Sequence, residues 1–557
     1  MADALDTTLR RIAGSETFRL ANQQRELLAF LVNRLKTTPR DEFKESLIGL
    51  EFFGREPGYD PKTDPIVRVE AHRLRRRLET YYRTEGSGDP WRIVLDKGNY
   101  IPVLEERPGA SSPNLLLAVF VKSDDEFTSL GMAAELIRTL GRLRSVRVLA
   151  PQSVQAAEGD MGKAISQLGA NAVLECSITG AVITAQLKRV VADGLELIGS
   201  FNNQIQSAVD LIGMFVASTL EAEHTGHRTR PLSQIDRETY QIYLSGRAWF
   251  LRWSPDNLTR AMEHFDQVLQ RYPNYAPAYA GLADCQALRG WWHAQGTRKT
   301  LEQGYAWAMR ALELDPECGE AYCSLAMFQL ALKHEWALAE ANFRRAIRQN
   351  PSYSMGLNWL SIACLAPLSR FDEAIDAVFE AYDLDPVSPE IGNEIVWVRI
   401  CCGQYAESAE QGRRMISQHP DFVEAYWSLG LAESALGNHE AARRALQSAE
   451  NLDPNIPHTI AWRGFIEGCA GNRENAEQCL VRLNEMRHQS PVRPIHYSWV
   501  YSGMGDLDAS VDYFEKAVTE ADPFTLYADC FPTYINLQRH PRFRQLRQVL
   551  RLPDRHV

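Results

Sequence analysis

Along residues 20–36 the apolar positions Leu27, Leu28, Leu31 and Leu35 fall on one stripe at helical spacing, predicting an amphipathic helix. A second short helix is expected over 42–53, closed by Gly54. A third opens at Asp64, a candidate N-cap, with Pro65 at the first helical position. In it Val67, Ala71, Leu74, Leu78 and Tyr82 follow at steps of four, three, four and four, so that stripe must face a core. At 100° per residue the opposite face carries Val69, His72, Arg73, Arg76 and Arg83, with Arg68 and Arg75 on one flank. The pattern then changes: WRIVLDKGNYIPVLEE reads as two short strands turning at Lys97-Gly98-Asn99.

A Pro/Gly/Ser stretch, 106–114, reads as a linker, and LLLAVFVK after it as a buried strand. A helix over 128–143, a strand over 146–150, a helix over 162–168, strands from 171 to 187 and a helix over 209–223 follow. This is a small α/β unit, ended by the polar linker HTGHRTRP. From about 236 onward the chain reads as helix pairs punctuated by proline. Pro273, Pro316, Pro351, Pro386, Pro420, Pro454, Pro491 and Pro523 follow one another at 43, 35, 35, 34, 34, 37 and 32 residues. Proline cannot continue a helix, so each marks a break between units. The gap of 43 implies an insertion around 291–300.

Composition narrows the picture. At 557 residues, three or four structural units are expected. No apolar run approaches the roughly 20 residues that span a bilayer, and the start lacks the pattern of a secretory signal. A cytoplasmic protein without a membrane segment is the expectation. Ten cysteines include no CxxC pair, and most occupy small apolar positions of helical segments, so reduced thiols are expected. The net charge of −11 argues against attraction of the whole surface to nucleic acid or anionic lipid. Residues 1–108, however, carry 19 Lys+Arg against 18 Asp+Glu, and 68–83 carry six Arg against two Glu.

The period near 34 and the unit EAYWSLGLAESALGNHEAARRALQSAENLDP resemble the tetratricopeptide repeat family. Tyr426, Leu429, Gly430, Ala442, Leu446, Ala449 and Pro454 stand at its motif positions, while Glu433 and Ser408 depart from them. The resemblance implies an all-α solenoid presenting an extended surface for a protein or peptide partner. Trp291 and Trp292, in the irregular insertion, are the candidate anchors; most other Trp and Tyr fall at packing positions.

The segment VRVEAHRLRRRL…IVLDKGNYIP resembles the recognition helix and wing of response-regulator-type winged-helix domains (α+β). What that implies is binding of double-stranded DNA: Val69, His72, Arg73 and Arg76 at base edges, Arg68, Arg75, Arg77 and Lys97 at phosphates. It also implies a possible homodimer, because such domains commonly read paired half-sites. The string GANAVLECSITGAVITAQL resembles the TolB amino-terminal α/β type. KESLIGLEFFGR…YDPKTDPIVRVEAHRLRRRLETYY is similar to bacterial multidomain proteins that join a winged helix to tetratricopeptide repeats.

No catalytic constellation emerges: neither phosphate-cradling loop, HExxH nor GxSxG is present. His224 and His227 lack acidic or Cys partners at ligand spacing, and Asp124, Asp125 and Glu126 read as a solvated loop. No cofactor is expected. The expected architecture is a winged helix over 1–108, an α/β domain over 109–228 and a repeat solenoid over 229–557. The expected function is a non-enzymatic one-component transcriptional regulator. The alternative is a protein-interaction scaffold whose basic helix docks protein rather than DNA.

Overall fold

A computed structural model describes residues 2–19, 22–37, 43–55, 66–83, 91–95, 99–106, 115–143, 146–156, 161–191, 194–220, 235–252, 254–292 and 297–553. The chain forms two compact units, 1–114 and 115–557.

In the first unit, helices α1 (Ala2–Gly14), α2 (Glu16–Arg19), α3 (Asn22–Thr37), α4 (Glu45–Glu51) and α5 (Ile66–Arg83) precede a two-stranded antiparallel sheet. Strand β1 (Trp91–Val94) pairs with β2 (Val103–Glu106), with Val94 opposite Val103. The apolar stripe of α5 is the core of this unit: Val67, Ala71, Leu74, Leu78 and Tyr82 are all buried, against Leu27, Leu28 and Leu31 of α3 and Ile93 of β1. The Tyr82 hydroxyl accepts the Ile93 N–H at 2.6 Å, fastening helix to sheet. The Asp64 cap, Pro65 and the Lys97 turn lie outside the described residues.

The second unit begins with β3 (Leu115–Lys122), α6 (Glu126–Leu140), β4 (Val146–Val148), α7 (Pro151–Ala156), α8 (Met161–Leu168), β5 (Ala172–Thr179), β6 (Val182–Val191), β7 (Gly194–Gln204) and α9 (Ile205–Thr219). The sheet order is β4-β3-β5-β6-β7, with β3 parallel to β4 and β5 and the β5–β6–β7 ladder antiparallel. The β5–β6 turn is Gly180-Ala181, with Gly180 at φ +60°, where a left-handed residue is needed.

Eight helix pairs follow among the described residues. They are α10 (Arg237–Phe250) with α11 (Pro255–Arg271), α12 (Ala276–Trp292) with α13 (Thr297–Leu314), and α14 (Gly319–Lys333) with α15 (Trp336–Gln349). Then come α16 (Ser354–Trp359, continued as a π-turn Leu360–Leu365) with α17 (Phe371–Leu384), and α18 (Pro389–Cys401) with α19 (Tyr405–Gln418). The last three are α20 (Val423–Ala435) with α21 (His439–Leu452), α22 (Pro457–Cys469) with α23 (Arg473–Met486), and α24 (Pro494–Gly503) with α25 (Leu507–Thr519). Each periodic proline stands just after the second helix of a pair. Three tyrosines at the next first helix repeat one device: Tyr279, Tyr322 and Tyr426 donate to the carbonyls of Pro273, Pro316 and Pro420. Small residues set the closeness of the helices. A Cβ on Gly281 would lie 2.5 Å from the Phe265 ring and one on Gly304 2.3 Å from Phe328. Of the insertion expected around 291–300, Trp291 and Trp292 are the last residues of α12 and Thr297 opens α13.

The α/β segment and the repeats share one core. A Cβ on Gly131 of α6 would fall 2.2 Å from the Leu244 carbonyl oxygen of α10, so these helices meet backbone to backbone. Strand β4, an edge of the sheet, is completed by the repeats: Val148 N–H donates to Ser352 Oγ at 3.0 Å. Nearby, Ala150 N–H donates to the Leu384 carbonyl at 2.9 Å and Ser153 Oγ donates to Asp385 Oδ1 at 2.5 Å. That contact satisfies an edge which would otherwise invite pairing with another chain.

Candidate protein-binding channel

The basic helix keeps few of its guanidiniums for a ligand. Arg75 donates from Nε to the Leu95 carbonyl at 2.8 Å and from a terminal nitrogen to the Asn99 carbonyl at 2.9 Å, bracing the loop between the strands. Arg77 donates to the Thr17 carbonyl at 2.7 Å, tying α5 to α2, and burial lowers its pKa. These two, expected at phosphates, are spent holding the unit together. Arg68 pairs with Glu45 at 2.9 Å and Arg73 with the buried Glu70 at 2.8 Å, yet both side chains remain more than half exposed. Glu70 is further held by Gln24 at 2.6 Å. Arg76 is half-buried, and Val69 and His72 belong to the same helix. Lys97 lies outside the described residues, as do His224 and His227.

A denser constellation lies inside the repeat array. After α25 the chain leaves the helical pattern and runs as short 3-10 turns, Pro523–Tyr527, Pro532–Tyr534 and Leu537–Arg539, before the last helix, α26 (Pro541–Val549). This stretch packs against α12, α14, α24 and α25, and its aromatic side chains meet α18 and α22, so the array coils around it. Phe531 stacks on Trp397 of α18 at 4.7 Å between centroids and 10° between planes. Trp462 of α22 stacks on Trp499 of α24 at 3.7 Å, and Phe524 meets Trp499 edge-on at 5.2 Å. Trp499 Nε1 donates to the Tyr534 hydroxyl at 2.8 Å.

One arginine ties the arrangement together. Arg493, buried before α24, reaches Asp522 at 3.4 Å, His458 Nε2 at 2.7 Å and the Trp291 carbonyl at 3.4 Å. Three repeats and the strap thereby meet at one charge. His496 is completely buried beside Arg493, and both burial and that cation hold its pKa well below the usual histidine range.

Beside this strap the channel stays open as a cavity of about 480 Å³. Trp291, Met327, Trp359 and Ile362 form its apolar wall. Asn358 and Asn393, both nearly fully buried, present carbonyl oxygens with no hydrogen-bond partner among the described residues. Glu390 and Glu394 of α18 and Glu424 of α20 also line it, with Asp421, Asp453 and His458. Burial, with Glu424 and Glu390 as like-charged neighbours, pushes the Glu394 carboxyl up to about 8. Burial pushes Glu424 up to about 7 and raises Glu390 as well. Trp291 and Trp292 are the candidate anchors: Trp291 is buried as part of this wall, and Trp292 ends the same helix.

Sequence reasoning passed over the asparagines and glutamates of the cavity. A signal was available in the register: Asn358 and Asn393 are 35 apart and Glu390 and Glu424 are 34 apart, so each pair occupies one position in successive repeats. Polar residues recurring at a first-helix position are the mark of an inner surface that is not simply core.

The comparisons bear on these same helices. The tetratricopeptide repeat family matches residues 325–389 and 403–456, and a second match covers 495–522. The human protein O-mannosyl-transferase TMTC1 is 27% identical over 146 residues, 24% of this chain and 17% of that protein, so only a small part of the relative is matched. Among solved structures, YrrB, a TPR protein with an unusual peptide-binding site, is 20% identical, covers 36% of this chain and 97% of its own, and has a TM-score of 0.25. A tetratricopeptide repeat protein from Parabacteroides merdae is 13% identical, covers 48% of this chain and all of its own, and has a TM-score of 0.35. With the helix pairs, the periodic prolines and the family matches in agreement, the carboxy-terminal part of this chain is a helical solenoid of tetratricopeptide repeats.

Proposed function

We propose that this chain is a non-catalytic protein-interaction scaffold whose inner repeat surface holds an extended peptide segment of a partner. The observation that carries the reading is the strap itself: the inner surface already receives a stretch of its own chain in short 3-10 turns on a row of tryptophans, and the cavity continues that path. Repeat solenoids use such inner surfaces for extended ligands. The test is selection of displayed random peptides on the full chain, repeated with Trp359→Ala, which alters the cavity wall. Peptides that bind the parent and are lost by the variant support the reading; no enriched peptide on a folded parent refutes it.

A second reading, DNA binding by the first unit, is favoured by one feature. Arg75 fixes the strand loop onto α5 while Arg68 and Arg73 stay exposed beside it, the order of helix and wing in winged-helix domains. Under it, Arg73→Ala with Arg76→Ala abolishes retention of a selected duplex without changing circular dichroism. Undiminished retention removes this reading.

A further inference from the structure

The cavity beside the strap poses an electrostatic problem the chain does not solve by itself. Glu390, Glu394 and Glu424 converge on it, with Asp421 and Asp453 at its rim, and no Lys or Arg lines it among the described residues. Carboxylates withdrawn from water normally find a cation or give up their charge. Here the second course is taken: Glu394 titrates near 8 and Glu424 near 7. An independent observation points to a ligand with hydrogen-bond donors. The buried carbonyl oxygens of Asn358 and Asn393 have no hydrogen-bond partner among the described residues, and an unsatisfied buried acceptor costs about 1–3 kcal/mol. Two of them at the same position of successive repeats match donors spaced along an extended backbone. The wall adds Trp291 and Trp359, aromatic faces that attract a cation.

We propose that this cavity seats an arginine or lysine side chain of a bound peptide, the cation among Glu390, Glu394 and Glu424 and the peptide N–H groups on Asn358 and Asn393. The inference rests on the scaffold reading and makes it more specific: the partner segment is basic. It also fixes a pH dependence. The groups facing the cation are Glu390 and Glu394 from α18, Asp421 and Glu424 at the start of α20, and Asp453 and His458 at the start of α22. His458 accepts from Arg493 and so faces that arginine as a neutral ring. A cation favours ionised carboxylates, so affinity rises with pH until Glu424 and Glu394 are both charged.

The test uses the full chain and labelled peptides Gly-Ser-Gly-Phe-X-Phe-Gly-Ser-Gly, with X as Arg, Lys, Leu or Glu, read by fluorescence anisotropy at physiological salt. The expected result is at least tenfold tighter binding for Arg or Lys than for Leu, strengthening at least tenfold between pH 6 and pH 8.5. Glu394→Gln with Glu424→Gln erases that preference. Glu410→Gln with Glu477→Gln, which removes two exposed charges paired on other helices, keeps it. Asn393→Ala weakens all the peptides alike. Equal binding of Leu and Arg peptides, or a preference that survives loss of Glu394 and Glu424, overturns the inference and leaves the scaffold reading standing. Failure of every peptide, here and in the display selection, overturns both.

Discussion

Glu135, in the α/β segment, should control the stability of the repeats. Its carboxylate is completely buried, pairs with Arg138 at 2.8 Å, accepts the Tyr243 hydroxyl at 2.8 Å and lies 3.9 Å from Arg247. Tyr243 and Arg247 belong to α10, so a single side chain of α6 satisfies two groups of the first repeat helix. Glu135→Ala strands the Arg138 guanidinium and the Tyr243 hydroxyl away from water. Breaking a buried pair by removing one partner costs about 3–5 kcal/mol, and an orphaned hydroxyl about 1–3 kcal/mol. These do not simply add, and Arg247 keeps Asp284 at 3.7 Å, so about 3–5 kcal/mol is expected in all. Glu135→Leu with Arg138→Met, which removes both charges, should recover most of the loss. The assay is urea unfolding followed by circular dichroism and by tryptophan fluorescence. Eleven of the twelve tryptophans lie at residue 249 or beyond, and Trp91→Phe removes the other, so fluorescence in that background reports the repeats alone. A shared core requires both signals to shift together. A fluorescence transition unmoved by Glu135→Ala, or a loss under about 1 kcal/mol, would refute the reasoning.

Stability should also fall as pH rises from about 4, the ordinary carboxyl range, to about 8. Asp284 and Asp385 titrate near 7 because burial penalises their charge, as do Glu424 near 7 and Glu394 near 8. Such raised carboxyls bind protons in the folded chain that the unfolded chain has released, a contribution lost as pH climbs through the folded values; melting temperatures across that range test it. Glu135 acts oppositely: Arg138 and Arg247 outweigh its burial and lower its pKa, so its contribution goes at acid pH. Phe531→Ala should cost about 3–5 kcal/mol in the fluorescence transition by emptying the stack on Trp397; an unchanged midpoint would mean the strap is not anchored there. Gly437, at φ +80° between α20 and α21, should lose about 1–2 kcal/mol as Gly437→Ala, whereas Ser369→Gly, at φ +58° in the equivalent turn, should be neutral or slightly stabilising by thermal melting.

Those turns show how much was legible in the chain. Gly403, Gly437, Gly471 and Gly505 stand 34 apart, all at φ between +73° and +80°, preceded at the same turn by His334 and Ser369. The prolines gave the period because a missing N–H acts locally, and the stripe of α5 gave the first core because helical spacing is local too. Strand β7 was missed for the same reason: on the sheet edge it alternates among exposed and half-exposed positions and carries Gly, Ser and Asn, so no apolar run announces it. The extra helix α7 was missed where Asp385 and Leu384, far along the chain, fasten its first turns.

What the sequence determined by itself is therefore the repeat array, helices α3, α4 and α5 of the first unit and the elements in between apart from α7 and β7, because each follows from propensities and spacings within a few turns. Tertiary structure alone decided that the α/β segment is fused to the repeats, that Arg75 and Arg77 serve the fold, and that the strap at 523–539 fills the inner surface. It also brought Asn358, Asn393, Glu394 and Glu424 to one cavity with Trp291. Such meetings depend on how a solenoid curves. Curvature accumulates from small rotations at every repeat interface, and no single stretch of sequence records it.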